Sequence, residues 1–136
     1  MAYGIKNISP LDLRKSVSIG VKIPFSEKNV FTRVFTTKEQ LKYNLINFLL
    51  TDKRERIFNP NFGAGIRRRL FEQISQDTAE ELKMSIVTQV ENYFPNVRVR
   101  ELIVEGYPST STMRIRFSYS IINTNDEDVL MVDIEN

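Results

Sequence analysis

Carboxylates and arginines are the reactive side chains in this sequence, which contains neither histidine nor cysteine. Without imidazole or thiolate there is no Ser-His-Asp or Cys-His nucleophile, none of the commonest zinc ligands and no disulfide. Two carboxyl groups facing each other remain a route to glycoside hydrolysis, one as acid and one as base. Glu72 with Asp77, and Glu80 with Glu81, are the pairs to weigh. Such a pair needs a set separation and one raised pKa, and the sequence carries no sign of a substrate cleft, so acids on a helix surface are the better reading. The basic run Arg67-Arg68-Arg69, with Arg54 and Arg56 nearby, is the candidate phosphate site. Three consecutive helical residues spread over a wide arc, which suits a solvated or protein-facing surface better than an anion pocket. The residues point away from an enzyme, and no cofactor or metal is expected.

Composition narrows the class further. A chain of 136 residues is the size of one domain and buries roughly two thirds of its unfolded surface without staples. With 41% hydrophobic and 26% charged residues it is neither disordered nor membrane-embedded. A net charge of +2 is too small to define a nucleic-acid-binding protein. No apolar run reaches the length of a membrane span, and no basic segment leads into an apolar signal region, so neither membrane nor export is expected.

The element that must organise the rest runs from Arg56 through Ile66 and on to Glu72. Pro60 fixes one backbone angle and removes a donor, while Gly63 and Gly65 allow conformations closed to other residues, so the stretch reads as a rigid elbow. Phe58 and Phe62 are expected to pin it to the core. Ile66, Leu70 and Phe71 stand at helical spacing and predict a short helix with Arg67, Arg68 and Arg69 facing water. Arg56 is expected to pair with Glu72 or to cap carbonyls inside the elbow.

On the amino-terminal side, residues 1–18 carry no sustained period and read as an arm, mobile or ordered by a partner. Ile19–Phe25 alternates like a short strand, and Val30, Phe31, Val34 and Phe35 make a second extended segment. Thr37 with Gln40 three residues later predicts a capped helix running to Leu50, with Leu41, Leu45, Phe48 and Leu49 on its apolar face. Beyond the elbow, Asp77 or Ser75 caps a second long helix whose stripe is Ala79, Leu82, Ile86, Val90 and Tyr93, stopped by Pro95. Val97 to Val104 is a strand whose parity changes near Glu101, which marks a bulge. Met113, Ile115, Phe117, Tyr119 and Ile121 alternate with polar residues in the clearest strand of the chain, and Val129–Ile134 makes the last one. The sum is an α+β fold, two main helices packed on a small, mostly antiparallel sheet with a C-terminal edge strand.

The run Arg56, Phe58, Pro60, Phe62 and Gly63, then Leu70, Phe71 and Glu72, resembles the hallmark of the small baseplate wedge proteins, or sheath initiators, of contractile-tailed phages, whose relatives sit in type VI secretion baseplates. The resemblance covers residues 19–136, the domain that follows the arm. It implies a structural subunit in the tail baseplate, assembled in the host cytoplasm, with tail sheath protein and other wedge proteins as partners. It also implies that the terminal strand, Val129, Leu130, Met131, Val132 and Ile134, offers its edge to sheath strands by β-augmentation. Many members carry Glu-Pro-Arg at the end of the second helix, toward the helical core of the wedge. Here Phe94, Pro95 and Asn96 stand in those places, so only the proline matches, and Arg98 is the nearby base. The competing reading is a cell-wall, lysozyme-like hydrolase of the tail, with a nucleic-acid-binding accessory behind it.

Overall fold

The computed structural model describes residues 10–13, 16–22, 32–70, 76–107, 109–122, 124 and 126–135. The chain divides into two compact units, Met1–Leu45 and Ile46–Asn136, and the division falls inside the first α-helix. No helix among the described residues is long and apolar enough to cross a membrane.

In the first unit a 3-10 turn, Pro10–Leu13, precedes two short strands, β1 (Gly20–Val21) and β2 (Arg33–Val34). They pair antiparallel, Gly20 opposite Val34 and Val21 opposite Arg33, and two flanking backbone bonds, Ile19 to Val34 and Lys22 to Thr32, close the ribbon. Both predicted extended segments are therefore present but short. Ile23, Pro24 and Phe25 of the first, and Val30 and Phe31 of the second, lie outside the described residues.

Helix α1 spans Thr37–Leu50, as the apolar spacing predicts, but its cap is Thr36 rather than Thr37. The Thr36 carbonyl takes the first helical bond from the Gln40 amide, and its hydroxyl accepts from the Glu39 amide at 3.3 Å. Gln40 turns forward to Asn44 instead of closing a capping box. Thr37 has a different partner: both its amide, at 2.7 Å, and its hydroxyl, at 2.8 Å, donate to the Asp12 carboxylate. A carboxylate at a helix N-terminus is favoured by the free amides and by the dipole. The described end of the arm is thus held at the start of α1.

The second unit begins with the last turn of α1, then the elbow, α2 (Ile66–Leu70) and α3 (Gln76–Tyr93). Ser75, one proposed cap of α3, lies outside the described residues, and Asp77 stands inside the first turn. Leu82, Ile86 and Val90 are buried along one face, at the spacing read from the sequence. Three antiparallel strands follow in the order β3 (Val97–Tyr107), β4 (Thr112–Ile121), β5 (Glu127–Glu135), and α3 lies on β3. Met113, Ile115, Phe117 and Tyr119 of the central strand are wholly buried, and Leu130, Val132 and Ile134 of β5 join them on the same face. Each such side chain contributes about 1.5–3 kcal/mol relative to exposure. Between β3 and β4 the register slips at Arg100, which faces no partner between Val99 and Glu101. The bulge keeps Val97 and Leu102 both buried although their sequence parity differs.

Candidate functional site

Two surfaces of the second unit carry most of the residues singled out by the sequence. The first is the elbow. Its root is locked by backbone: the Ala64 amide donates to Phe48 O, the Gly65 amide to Thr51 O, and Thr51 itself is buried and bonded to Asn47. Gly63 has φ +119° and lies so close to the Thr51 carbonyl that a Cβ would collide with it. The Gln89 amide of α3, oriented as its neighbours require, donates to Gly63 O at 2.7 Å and accepts from Lys53 Nζ at 3.0 Å. Neither Gln89 nor Lys53 is visible in the motif, because their roles depend on a contact across the fold.

Phe62 is packed into an aromatic cluster centred on Phe48, 5.3 Å from Phe48 and 5.2 Å from Tyr93, both edge-on. Phe48 also meets Phe94 edge-on at 6.0 Å. Arg56 lies over the Phe62 ring, its guanidinium carbon 4.0 Å from the centroid. That stacking is the role the structure gives Arg56. Its expected partner Glu72 lies outside the described residues, as does Phe71, and the side chain of Leu70 is likewise not described. Pro60 is exposed, and its carbonyl accepts from the Arg54 amide at 2.7 Å, closing the loop at its base.

Phe58 overturns an expectation. It does not pin the elbow to the core but is fully exposed, at 102%, beside Ile57 at 90%, while Phe62 is only 9% exposed. The closure between Arg54 and Pro60 pinches residues 55–59 into a tip, so the backbone turns Phe58 outward while Phe62 turns in.

The second surface is the sheet beyond its core face. Strand β5 pairs with β4 along its whole length, Thr112 opposite Glu135 through Ser120 opposite Glu127, and its other side meets no strand among the described residues. Its odd-numbered residues face outward. Asp133 is held by Arg114 directly opposite, through two bonds of 2.7 and 3.0 Å. This pairing lowers the Asp133 pKa and raises that of Arg114. Glu105, on the far side of Arg114, accepts from the Tyr107 hydroxyl at 2.8 Å, and that bond raises the Tyr107 pKa. Toward the other end Glu127 lies 3.8 Å from Arg100, the bulged residue, which also donates to Ser120. Between these pairs stand Val129 and Met131, 45% and 68% exposed. On the buried face the Tyr119 hydroxyl lies by Asp128, and burial first, then that negative charge, push its pKa up. An open cleft of about 470 Å³ runs beside the bulge, between Glu101 and Val129.

The junction after α3 is a packed turn. Phe94 is half-buried against Phe48, while Pro95, Asn96 and Arg98 are exposed. The Val97 amide donates to Phe94 O, and Asn96 O accepts from the Ile122 amide, fixing the turn to the end of β4. Of the carboxylates weighed for hydrolysis, Glu80 pairs with Lys83 at 3.1 Å and Glu81 with Arg69 at 3.9 Å, both exposed, and neither is desolvated as a general acid needs to be.

Comparison with known proteins places these features in one family. The profile of the family described as Baseplate wedge protein gp25 matches residues 36–126, from the cap of α1 to the start of β5. The Baseplate wedge protein gp25 of Enterobacteria phage T4 is 29% identical over 97 residues, 70% of this chain and 71% of its own. Among solved structures, a candidate tail lysozyme from Geobacter sulfurreducens superposes with a TM-score of 0.64 at 20% identity, over 74% of this chain and 91% of that one. A chain of the anti-feeding prophage baseplate superposes with a TM-score of 0.58 at 19% identity, over 75% and 82%. At those identities the two structures speak for the fold, whereas the profile spans α1, the elbow, α3, β3 and β4 together and ends just before β5: the chain belongs to the baseplate wedge protein family of contractile tails.

Proposed function

We propose that this chain, a structural subunit of a contractile-tail baseplate by its family, starts the sheath by offering the free side of β5 to a strand of the sheath protein. One observation carries the reading. Two of the acids that would normally blunt an edge are drawn back across the sheet, Glu127 toward Arg100 and Asp133 onto Arg114, Glu135 stands at the very end, and the middle of the strand presents exposed, uncharged Val129 and Met131. Backbone groups on the free side of β5 give the incoming strand its affinity, the Val129 amide first exchanging its bond to the Asp128 carboxylate at 2.9 Å, and the alternating outward side chains set its register. Leu130, Val132 and Ile134 contribute by holding the strand to the core. Pro95, Asn96 and Arg98 are proposed to face the other wedge proteins, with Phe94 supporting them from inside. Assembly in the host cytoplasm belongs to the same reading.

Deleting the strand is a poor test, because three of its residues are core. The double variant Val129→Lys, Met131→Lys changes only exposed positions and charges the edge. Baseplates carrying it are expected to form and include the chain but to leave sheath protein unpolymerised; normal sheath growth would falsify the proposal. The hydrolase reading draws on the name carried by one structural relative. Release of soluble fragments from purified cell wall by the isolated chain would favour it.

A further inference from the structure

We propose that the Ile57–Phe58 tip of the elbow is a second docking point, a preformed apolar knob that enters an acid-rimmed hydrophobic pocket on another protein of the baseplate. Two adjacent large apolar side chains at 90% and 102% exposure stand out in a loop whose next apolar residues, Phe62, Ala64 and Ile66, are buried. The knob is held in shape. Its base is closed by the Arg54 amide on Pro60 O, Glu55 turns its carboxylate back to the Asp52 amide at 2.8 Å, and Arg56 is stacked on Phe62. A backbone already held in its bound geometry loses little entropy on docking, which favours an aromatic anchor carried at its tip.

Charge identifies the partner's rim. Residues 52–69 contain six basic and two acidic side chains, a net +4, so the remainder of the chain, at +2 overall, carries −2. The excess falls in the segment that carries the knob, and Lys53, Arg54, Arg67 and Arg68 are exposed. A complementary surface is therefore apolar at its centre and acidic around it. A membrane would answer the same charge, but it asks only for apolar area and cations; a loop closed at the base and braced on both flanks answers to a shaped pocket.

The test uses the full chain in assembled baseplates. A photo-crosslinking phenylalanine analogue at position 58 is expected to capture one other baseplate protein, through a segment rich in Asp and Glu; the same analogue at exposed Met84 on α3 serves as the control. Phe58→Ser and Ile57→Ser are expected to leave thermal melting unchanged, since neither side chain is packed. Each is expected to lower incorporation at least about 10-fold in competition with the natural chain, as loss of an interface anchor does. Phe58→Leu is expected to recover most of it. Incorporation equal to the natural chain overturns the proposal, as do cross-links confined to a second copy of this chain, cross-links to lipid, or binding of the isolated chain to anionic vesicles that Phe58→Ser abolishes. Because β5 is untouched, loss of incorporation here is distinct from the edge variant, which enters the baseplate but stalls sheath growth.

Discussion

Phe58 and Phe62 stand four residues apart in one loop, and one is in water while the other is buried in an aromatic cluster. The difference lies in what the backbone between them is tied to. Toward Phe62 the chain is stitched to α1 through Thr51 and Phe48 and to α3 through Gln89, whereas toward Phe58 the backbone bonds described stay within the loop itself. An aromatic residue in a motif thus has two fates, support and presentation, and composition does not distinguish them. The root gives the elbow its stability; the tip uses that stability to hold an apolar surface in water at no further gain to the fold.

The largest effect is expected at the point where root and helix touch. Gly63→Val places a branched side chain at a positive φ and against the Thr51 carbonyl, which belongs to the backbone and cannot yield. A loss of about 3 kcal/mol or more is expected, read as a collapse of the melting temperature. Gly65→Ala, at φ +65° but with only the Lys53 side chain at 3.6 Å, should cost about 1 kcal/mol. Equal effects at the two glycines would mean that close approach, rather than conformation alone, is not what locks the root.

The two phenylalanines supply the direct comparison. Phe62→Ala removes the ring shared by Phe48, Tyr93 and Arg56 and is expected to cost about 3–5 kcal/mol. Phe58→Ala should stay within about 0.5 kcal/mol of the natural chain. Chemical denaturation of both variants, with unchanged slope, is the measurement. If the two midpoints move together, the tip is part of the fold and the division into root and tip fails.

Much of this architecture could be read before any coordinates, and where reading stopped the reason is physical. Alternation in β4, the stripe Leu82, Ile86, Val90 and the parity change near Glu101 are local periodicities, and strands and helices expose those directly. Direction is not local. Phe58 was expected inside because aromatic residues beside Pro and Gly usually anchor turns, and nothing in the spacing announces that the Arg54 amide closes on Pro60 O. The same limit hid Gln89 and the stacking of Arg56 on Phe62. Strand β5 runs from Glu127 to Glu135 rather than Val129 to Ile134, because the ladder with β4 continues to Ser120 opposite Glu127 and Thr112 opposite Glu135, a pairing that the strand's own sequence does not announce. The helix cap moved by one residue, since Thr36 and Thr37 are chemically equivalent and only the carbonyl geometry separates them.

A smaller effect separates packing from charge within the root. Arg56→Ala leaves Phe62 in place but removes the cation from its face, and about 0.5–1 kcal/mol is expected, well below the loss from Phe62→Ala. Arg56→Lys should recover part of it, because an ammonium keeps the charge but not the flat stacking surface. A change as large as that of Phe62→Ala would point to a partner for Arg56 beyond the ring.

The smallest expected effect is at the sheet edge, where the elbow's logic reverses and polar pairing rather than apolar packing shapes an exposed surface. The Asp133 pKa is lowered in the folded chain by Arg114, so the pair contributes above the ordinary carboxylate pKa and is lost as pH falls through the depressed folded value. Both partners are near half exposed, so the contribution is slight and screened by salt. The melting temperature of Asp133→Asn is therefore expected to lie just below that of the natural chain at neutral pH and to converge with it in acid, with a narrower gap at high salt. A gap that persists unchanged into strong acid would mean that Asp133 acts through shape rather than charge. The pairing of edge acids across the sheet would then no longer explain why the middle of β5 is left open to another strand.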